Sequence, residues 1–168
     1  VSLLKNHISL QTHSKTSPYL AVIHRLDQPV EGILVFAKTA AAAKKLNQQM
    51  QTKGFGKYYR ALLSRTPDIL ETDLSDHMIK DYKILQKNNS FAIAEIQLDT
   101  GRHHQIRVQM AHIGCPIVGD RKYGNISSLQ ETPPFLCQHG LQLFAYRLEF
   151  THPYTQKALS FQIDRLNA

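Results

Sequence analysis

Gly32-Ile33-Leu34-Val35-Phe36-Ala37-Lys38-Thr39-Ala40-Ala41-Ala42-Ala43-Lys44-Lys45-Leu46 changes its hydrophobic period at Lys38. Before it, Ile33 to Ala37 is a short β-branched and aromatic run bounded by Gly32 and Lys38, which predicts a buried strand. After it, Thr39 is a capping residue and the alanines favour helix. Ala42, Leu46 and Met50 then recur every four residues, so a helix is expected over Ala40 to Lys53, with Gly54 where the chain leaves it.

Further along, Lys57 to Leu63 alternates as a strand and Thr66-Pro67-Asp68 ends it with a turn. Glu71 to Lys80 has no clear period. Lys83 to Lys87 and Phe91 to Leu98 read as a hairpin joined at Asn88-Asn89, because asparagine tolerates the positive φ of a tight turn. Ile106, Met110 and Ile113 have helical spacing, so a helix is expected over Arg102 to Ile113, stopped by Gly114 and Pro116, with His103 and Arg107 on its opposite face. Leu141 to Phe150 and Ala158 to Ile163 form a second hairpin around Thr151 to Thr155. Upstream, the first twenty residues alternate only weakly and Ser14 to Pro18 reads as a loop. No repeat or composition shift marks a second domain. The expected class is α+β: one domain over 1–168, with a mixed, largely antiparallel sheet and a few flanking helices.

Composition narrows the function. A chain of 168 residues with 42% apolar and 20% charged side chains has a globular rather than a disordered composition. Its longest apolar runs fall far below the roughly 20 residues of a membrane-spanning helix, so no membrane association is expected. Cys115 and Cys137 are too few for a disulfide framework, and no basic-then-apolar leader opens the chain, which together predict a cytoplasmic protein. Twenty Lys and Arg against 13 Asp and Glu give a net charge of +7, which favours an anionic partner.

Three segments concentrate polar chemistry. In His24-Arg25-Leu26-Asp27, a carboxylate beside cationic groups precedes the predicted strand; the ordinary alternative is a turn aspartate in a local salt bridge. In Gly56-Lys57-Tyr58-Tyr59-Arg60-Ala61, Lys57, Tyr59 and Ala61 share one strand face, where Tyr59 stacks on a base or simply packs in the core. Thr100-Gly101-Arg102-His103-His104-Gln105-Ile106-Arg107 brings two Arg and two His to a helix start, a reasonable anion site. Adjacent histidines on a helix point about 100° apart, so His103 and His104 do not readily share one metal. Zinc-type Cys pairs and His-Glu-x-x-His are missing, so no metal site is expected. Gly-x-Ser-x-Gly and glycine-rich phosphate loops are also missing, and Cys115 has the apolar neighbours Pro116 and Ile117, a structural setting.

Taken in order, these segments resemble the pseudouridine synthases, specifically the group that modifies large-subunit ribosomal RNA and some tRNAs. His24-Arg25-Leu26-Asp27 with Gly32 to Lys38 resembles the family's catalytic motif, and Lys57-x-Tyr59-x-Ala61 its second motif. Thr100-Gly101-Arg102-x-His104-Gln105-Ile106-Arg107 with Gly114-x-Pro116-Ile117-x-Gly119-Asp120 resembles the third, and His152-Pro153 a late turn. The resemblance implies the family's catalytic-domain fold and the isomerisation of uridine to pseudouridine in structured rRNA or tRNA. It implies no cofactor, no obligatory protein partner and a monomer. Asp27 is then the catalytic carboxylate, Arg107 its ion-pair partner and Tyr59 the platform for a flipped-out uracil, with Arg25, Lys57, Arg102, His104 and Gln105 on the substrate. Two departures stand out. Val30-Glu31 occupies a place where the family has small polar residues, and the family's opening strands, with their Lys-Pro-x-Gly segment, have no equivalent before Val1. Both are compatible with an alternative, a truncated or catalytically inactive relative that binds RNA.

Overall fold

The computed structural model describes residues 1–13, 16–52, 54–67, 79–124 and 140–164. In chain order the elements are α1 (Ser2–Thr12), β1 (Ala21–Val22), β2 (Glu31–Gly32), β3 (Phe36–Ala37), α2 (Ala40–Gln51), β4 (Gly56–Leu63), β5 (Ile79–Lys87), β6 (Ala92–Leu98), α3 (Gln105–His112), β7 (Leu143–Thr151) and β8 (Ala158–Gln162). Among the described residues the chain packs as two units. One comprises Val1–Arg25, Leu34–Phe55 and Phe150–Leu159; the other comprises Leu26–Ile33, Gly56–Glu149 and Ser160–Ala168.

In the first unit, the Thr39 hydroxyl accepts the Ala42 N–H at 3.1 Å and opens α2. It thereby satisfies one of the four N–H groups that every helix start leaves unpaired. The α2 face that the four-residue spacing predicts is the buried one, through Ala42, Ala43 and Leu46. The Gln49 carboxamide bonds both the N–H and the C=O of Thr151, at 3.0 and 2.8 Å. α1 is absent from the sequence expectation because it buries no residue, with Leu3 and Leu10 exposed, so no apolar stripe marks it. The Ser14 to Pro18 loop lies partly outside the described residues, as do Lys53, Asp68, Glu71 to Met78 and Cys137.

The predicted single strand from Ile33 to Ala37 is corrected. Glu31–Gly32 pairs parallel with β7, whereas Phe36–Ala37 pairs antiparallel with β1. The run is divided between them: the Ile33 N–H still donates to the Ala145 carbonyl of β7, the Val35 carbonyl already accepts the Ile23 N–H beside β1, Leu34 is exposed and only Ala37 is fully buried. Gly32, at φ +144°, permits this path, since a Cβ there would collide with the Ala145 carbonyl oxygen against which β2 lies.

The second unit carries a sheet in the order β2-β7-β4-β6-β5, with β8 on β7. Every pair in that order is antiparallel except β2–β7, so the mixed, largely antiparallel sheet of the α+β expectation is present. Ala61 and Leu63 of β4, Ile96 and Leu98 of β6, and Ile106 and Met110 of α3 form one apolar core. The β5–β6 turn is closed by chemistry other than expected. Asn88 Oδ1 accepts the N–H groups of Ser90 and Phe91, and no residue of the turn has positive φ. Opposite β4, a bulge in β7 at Tyr146 shifts the register between Tyr58 and Tyr59.

Candidate active site

α3 starts later than its periodicity predicts, at Gln105 rather than Arg102. The Gln105 side-chain oxygen accepts the Thr100 hydroxyl at 2.8 Å and the Arg102 N–H at 3.0 Å, which folds residues 100–104 into a separate loop. His104 ends that loop in the left-handed region, at φ 54°. At the other end the Gly114 N–H bonds the Ala111 carbonyl and the Cys115 N–H bonds the Met110 carbonyl, a Schellman stop at the predicted glycine. The two residues expected on the helix face opposite Ile106 and Met110 do not share one. His103 precedes the helix, and Arg107 is buried at 5% exposure.

The left-handed turn at His104 aims its backbone N–H at Asp27, which accepts it on Oδ2 at 3.0 Å. The other carboxylate oxygen, Oδ1, lies 3.6 Å from His103 Nδ1. Asp27 itself sits in a tight turn through the cis Gln28–Pro29 bond, closed by the Val30 N–H on the Asp27 carbonyl at 2.7 Å. Tyr59, on β4, packs half-buried against the core. Burial first, and the negative charge of Asp27 second, push its phenol up to about 12. At neutral pH Tyr59 is therefore a protonated donor facing the field of Asp27.

The Arg107–Asp27 pair expected from the sequence is not formed. Arg107 Nε and Nη2 donate instead to the two oxygens of Asp120, both at 2.7 Å. Asp120 is 1% exposed and also accepts the N–H groups of Lys122 and Tyr123. Burial pushes the Asp120 carboxyl up, but the Arg107 bonds and the two N–H bonds outweigh it and leave it below the ordinary carboxylate value. The physical reason for the altered pairing is reach: Gly119, at φ +77°, turns the chain where a Cβ would strike the Gly140 carbonyl oxygen, and so delivers Asp120 to the guanidinium.

The same loop supplies Tyr123, whose hydroxyl bonds His104 Nδ1 at 3.0 Å. The two histidine rings stack, with centroids 3.7 Å apart. The His104 imidazole is held below its ordinary pKa by burial and then by the positive charge of Arg107. Because both histidines lie ahead of the helix, the 100° separation that argued against their acting together does not apply.

Asp27, Tyr59, His104 and Arg107 thus lie in one unit, joined by the bonds and charges described. Gln105 is buried and builds the loop, Arg102 is exposed on it, and Arg25 is exposed in the first unit. Lys57 is buried beside Gly101, and burial lowers its pKa, partly offset by Asp99. Sequence reasoning counted His103 in an anion site and Asp120 in a motif but assigned no contact to either, nor to Tyr123. For Asp120 a signal existed: an arginine next to Ile106 on a core-facing helix needs a carboxylate, and the Gly119-Asp120 turn is a short chain distance away.

A family model described as RNA pseudouridylate synthase matches residues 2–112. Ribosomal large subunit pseudouridine synthase D of Buchnera aphidicola is 32% identical over 175 residues, 89% of this chain and 56% of that protein. The protein of the same name from Nitrosomonas europaea is 30% identical, over 86% of this chain and 48% of its own length. tRNA pseudouridine synthase C of Salmonella typhimurium is 27% identical, over 83% of this chain and 65% of that protein. The chain spans about half the length of the first two. Among solved structures, human RNA pseudouridylate synthase domain containing 4 superposes with a TM-score of 0.77 at 22% identity, over 97% of this chain and 77% of the other.

Proposed function

The chain belongs to the RNA pseudouridylate synthase family, and on that premise we propose that it isomerises a uridine in structured rRNA or tRNA to pseudouridine, with Asp27 as the catalytic carboxylate. The observation that carries the reading is the carboxylate itself. Asp27 is held through one oxygen by the His104 N–H and is close enough to Tyr59 for its charge to act on that phenol.

The reaction breaks the bond from the ring nitrogen to the ribose, turns the uracil and rejoins it through carbon, moving a proton from that carbon with no change of oxidation state. A paired base is out of reach, so the nucleotide is flipped out at a cost of a few kcal/mol of unstacking. Asp27 acts at the ribose or the ring, as nucleophile or as base. Tyr59 stacks on the uracil. Its phenol is a poor base while Asp27 is charged. Being protonated, it takes up the proton of the ring carbon only as a relay, late in the reaction, passing its own hydroxyl proton on toward the freed ring nitrogen as the new one arrives.

Arg107 contributes positive charge to the pocket while Asp120 holds it in place. Exposed Arg102 and Arg25 meet phosphates, in keeping with the +7 net charge. Gln105 acts through the loop it organises. The monomeric, cofactor-free cytoplasmic enzyme expected from the sequence remains part of this reading.

The test is an isotope-labelled uridine assay on cellular RNA lacking the modification, with Asp27→Asn in parallel. Product from the wild type and none from the variant, at an RNA affinity within tenfold, supports the reading. Turnover by Asp27→Asn removes Asp27 from its role. Salt-sensitive RNA binding without product from either chain favours an inactive relative.

A further inference from the structure

Asp27, His103 and His104 each offer one ligating atom, and the three atoms lie within 4.8 Å of one another. We propose that this trio is a binding site for a divalent transition-metal ion of the zinc type, and that its occupancy blocks the Asp27 carboxylate. The blocking half rests on the function proposed above; the binding half does not.

The donor set selects the class of ion. Two imidazoles and one carboxylate suit Zn²⁺, Co²⁺, Ni²⁺ or Cu²⁺, whereas Mg²⁺ and Ca²⁺ favour all-oxygen shells. Bonds of about 2.0–2.2 Å place tetrahedral ligands about 3.3–3.6 Å apart. His103 Nδ1 and Asp27 Oδ1 are already at 3.6 Å. The remaining closure falls to His103, whose 76% exposed side chain turns out of its stack on His104 to bring both ring nitrogens onto the ion.

One of the three ligands is already held in place. His104 is oriented by the Tyr123 hydroxyl on its Nδ1, the outer contact that metal-bound histidines use to fix their rings. The positive charges of Arg107 and Lys122 reach His104, and the bidentate Asp120 offsets part of the Arg107 charge. Three protein ligands leave a coordination position for water. An Asp27 oxygen bound to the ion is unavailable to a ribose or a uracil ring, so the metal acts as an inhibitor of a reaction that itself needs none.

The experiment titrates chelator-treated protein with Co²⁺, read by its visible ligand-field absorption, and with Zn²⁺ by calorimetry. One equivalent is expected to bind with the intense absorption of a four- or five-coordinate ion. Asp27→Asn and His103→Ala are each expected to weaken binding at least tenfold, and His7→Ala, on exposed α1, to leave it unchanged. Circular dichroism checks that each variant is folded. In the uridine assay, Zn²⁺ is expected to inhibit with a midpoint matching its binding, reversibly with chelator. Absence of binding, or binding unmoved by His103→Ala and Asp27→Asn, overturns the site. Binding at the site with undiminished product formation overturns the blocking role. A chain that makes no pseudouridine refutes the proposed function while the Co²⁺ spectrum still decides the site.

Discussion

Replacing Asp120 with Asn tests whether the Arg107–Asp120 pair holds the pocket together. Asn keeps the shape and one acceptor oxygen for the N–H groups of Lys122 and Tyr123. It loses the charge and one of the two 2.7 Å bonds to a guanidinium that is 5% exposed. Hydrogen bonds to charged groups contribute about 1.5–3 kcal/mol each, and breaking one side of a buried pair costs about 3–5 kcal/mol. Retention of the backbone bonds puts the expectation near the lower end, about 3 kcal/mol, a large part of a typical domain's 5–15 kcal/mol. With a urea slope of about 2 kcal/mol per molar, the unfolding midpoint falls by about 1.5 M.

The pH dependence has a definite sign. The folded Asp120 carboxyl lies below its ordinary value of 3.8, so its contribution is present above that value and is lost as pH falls through the folded pKa. The difference between wild type and Asp120→Asn is therefore flat near neutral pH and shrinks below about pH 4. Arg107→Met in the Asp120→Asn background is expected to recover part of the loss, because it removes the stranded charge. A destabilisation under about 1 kcal/mol at neutral pH, or a double variant whose losses simply add, refutes the reasoning.

Three further outcomes are expected. Tyr59→Phe keeps the ring and loses the phenol, so RNA affinity stays within about threefold while single-turnover product formation slows by about 10²-fold, within the range for proton-transfer groups; unchanged turnover removes the hydroxyl from the chemistry. Lys57→Met removes a buried cation, so urea midpoints stay level or rise, while RNA binding weakens and its salt slope falls by about 1 if Lys57 touches a phosphate. His104→Gly is expected to be about 1 kcal/mol more stable than His104→Ala, because both lose the Tyr123 bond but only glycine adopts φ 54° without cost; equal midpoints contradict the left-handed turn.

Local signals were legible in the sequence wherever one segment determined its own structure. Thr39 with Ala42 and Leu46 marked α2, alternation marked β4, runs on either side of a turn marked β6 and β7, and Gly114 marked the end of α3. What escaped depended on other parts of the chain. The Ile33 to Ala37 run has the composition of one strand, yet Gly32 and Phe36 pair with partners at Ala145 and Val22, which composition does not encode. The start of α3 was misplaced because Gln105 turns its side chain back on Thr100 and Arg102, a tertiary choice invisible to a 3.6-residue period. α1 left no trace because it buries no residue and so carries no apolar stripe.

The same distinction separates the site residues. Asp27, Tyr59 and Arg107 were picked out by motif, but the contact attributed to Arg107 belongs to a backbone amide, and that difference has a chemical consequence. A bidentate guanidinium would engage both oxygens of Asp27 and neutralise it in place. The His104 N–H instead holds Oδ2 alone, and Oδ1 has His103 at 3.6 Å, beyond a normal hydrogen bond. Arg107, locked to Asp120, still adds positive potential to the pocket without occupying the carboxylate. The arrangement orients the group through one atom and leaves the other open, which is what a carboxylate needs in order to react, and also what exposes it to capture by a metal ion.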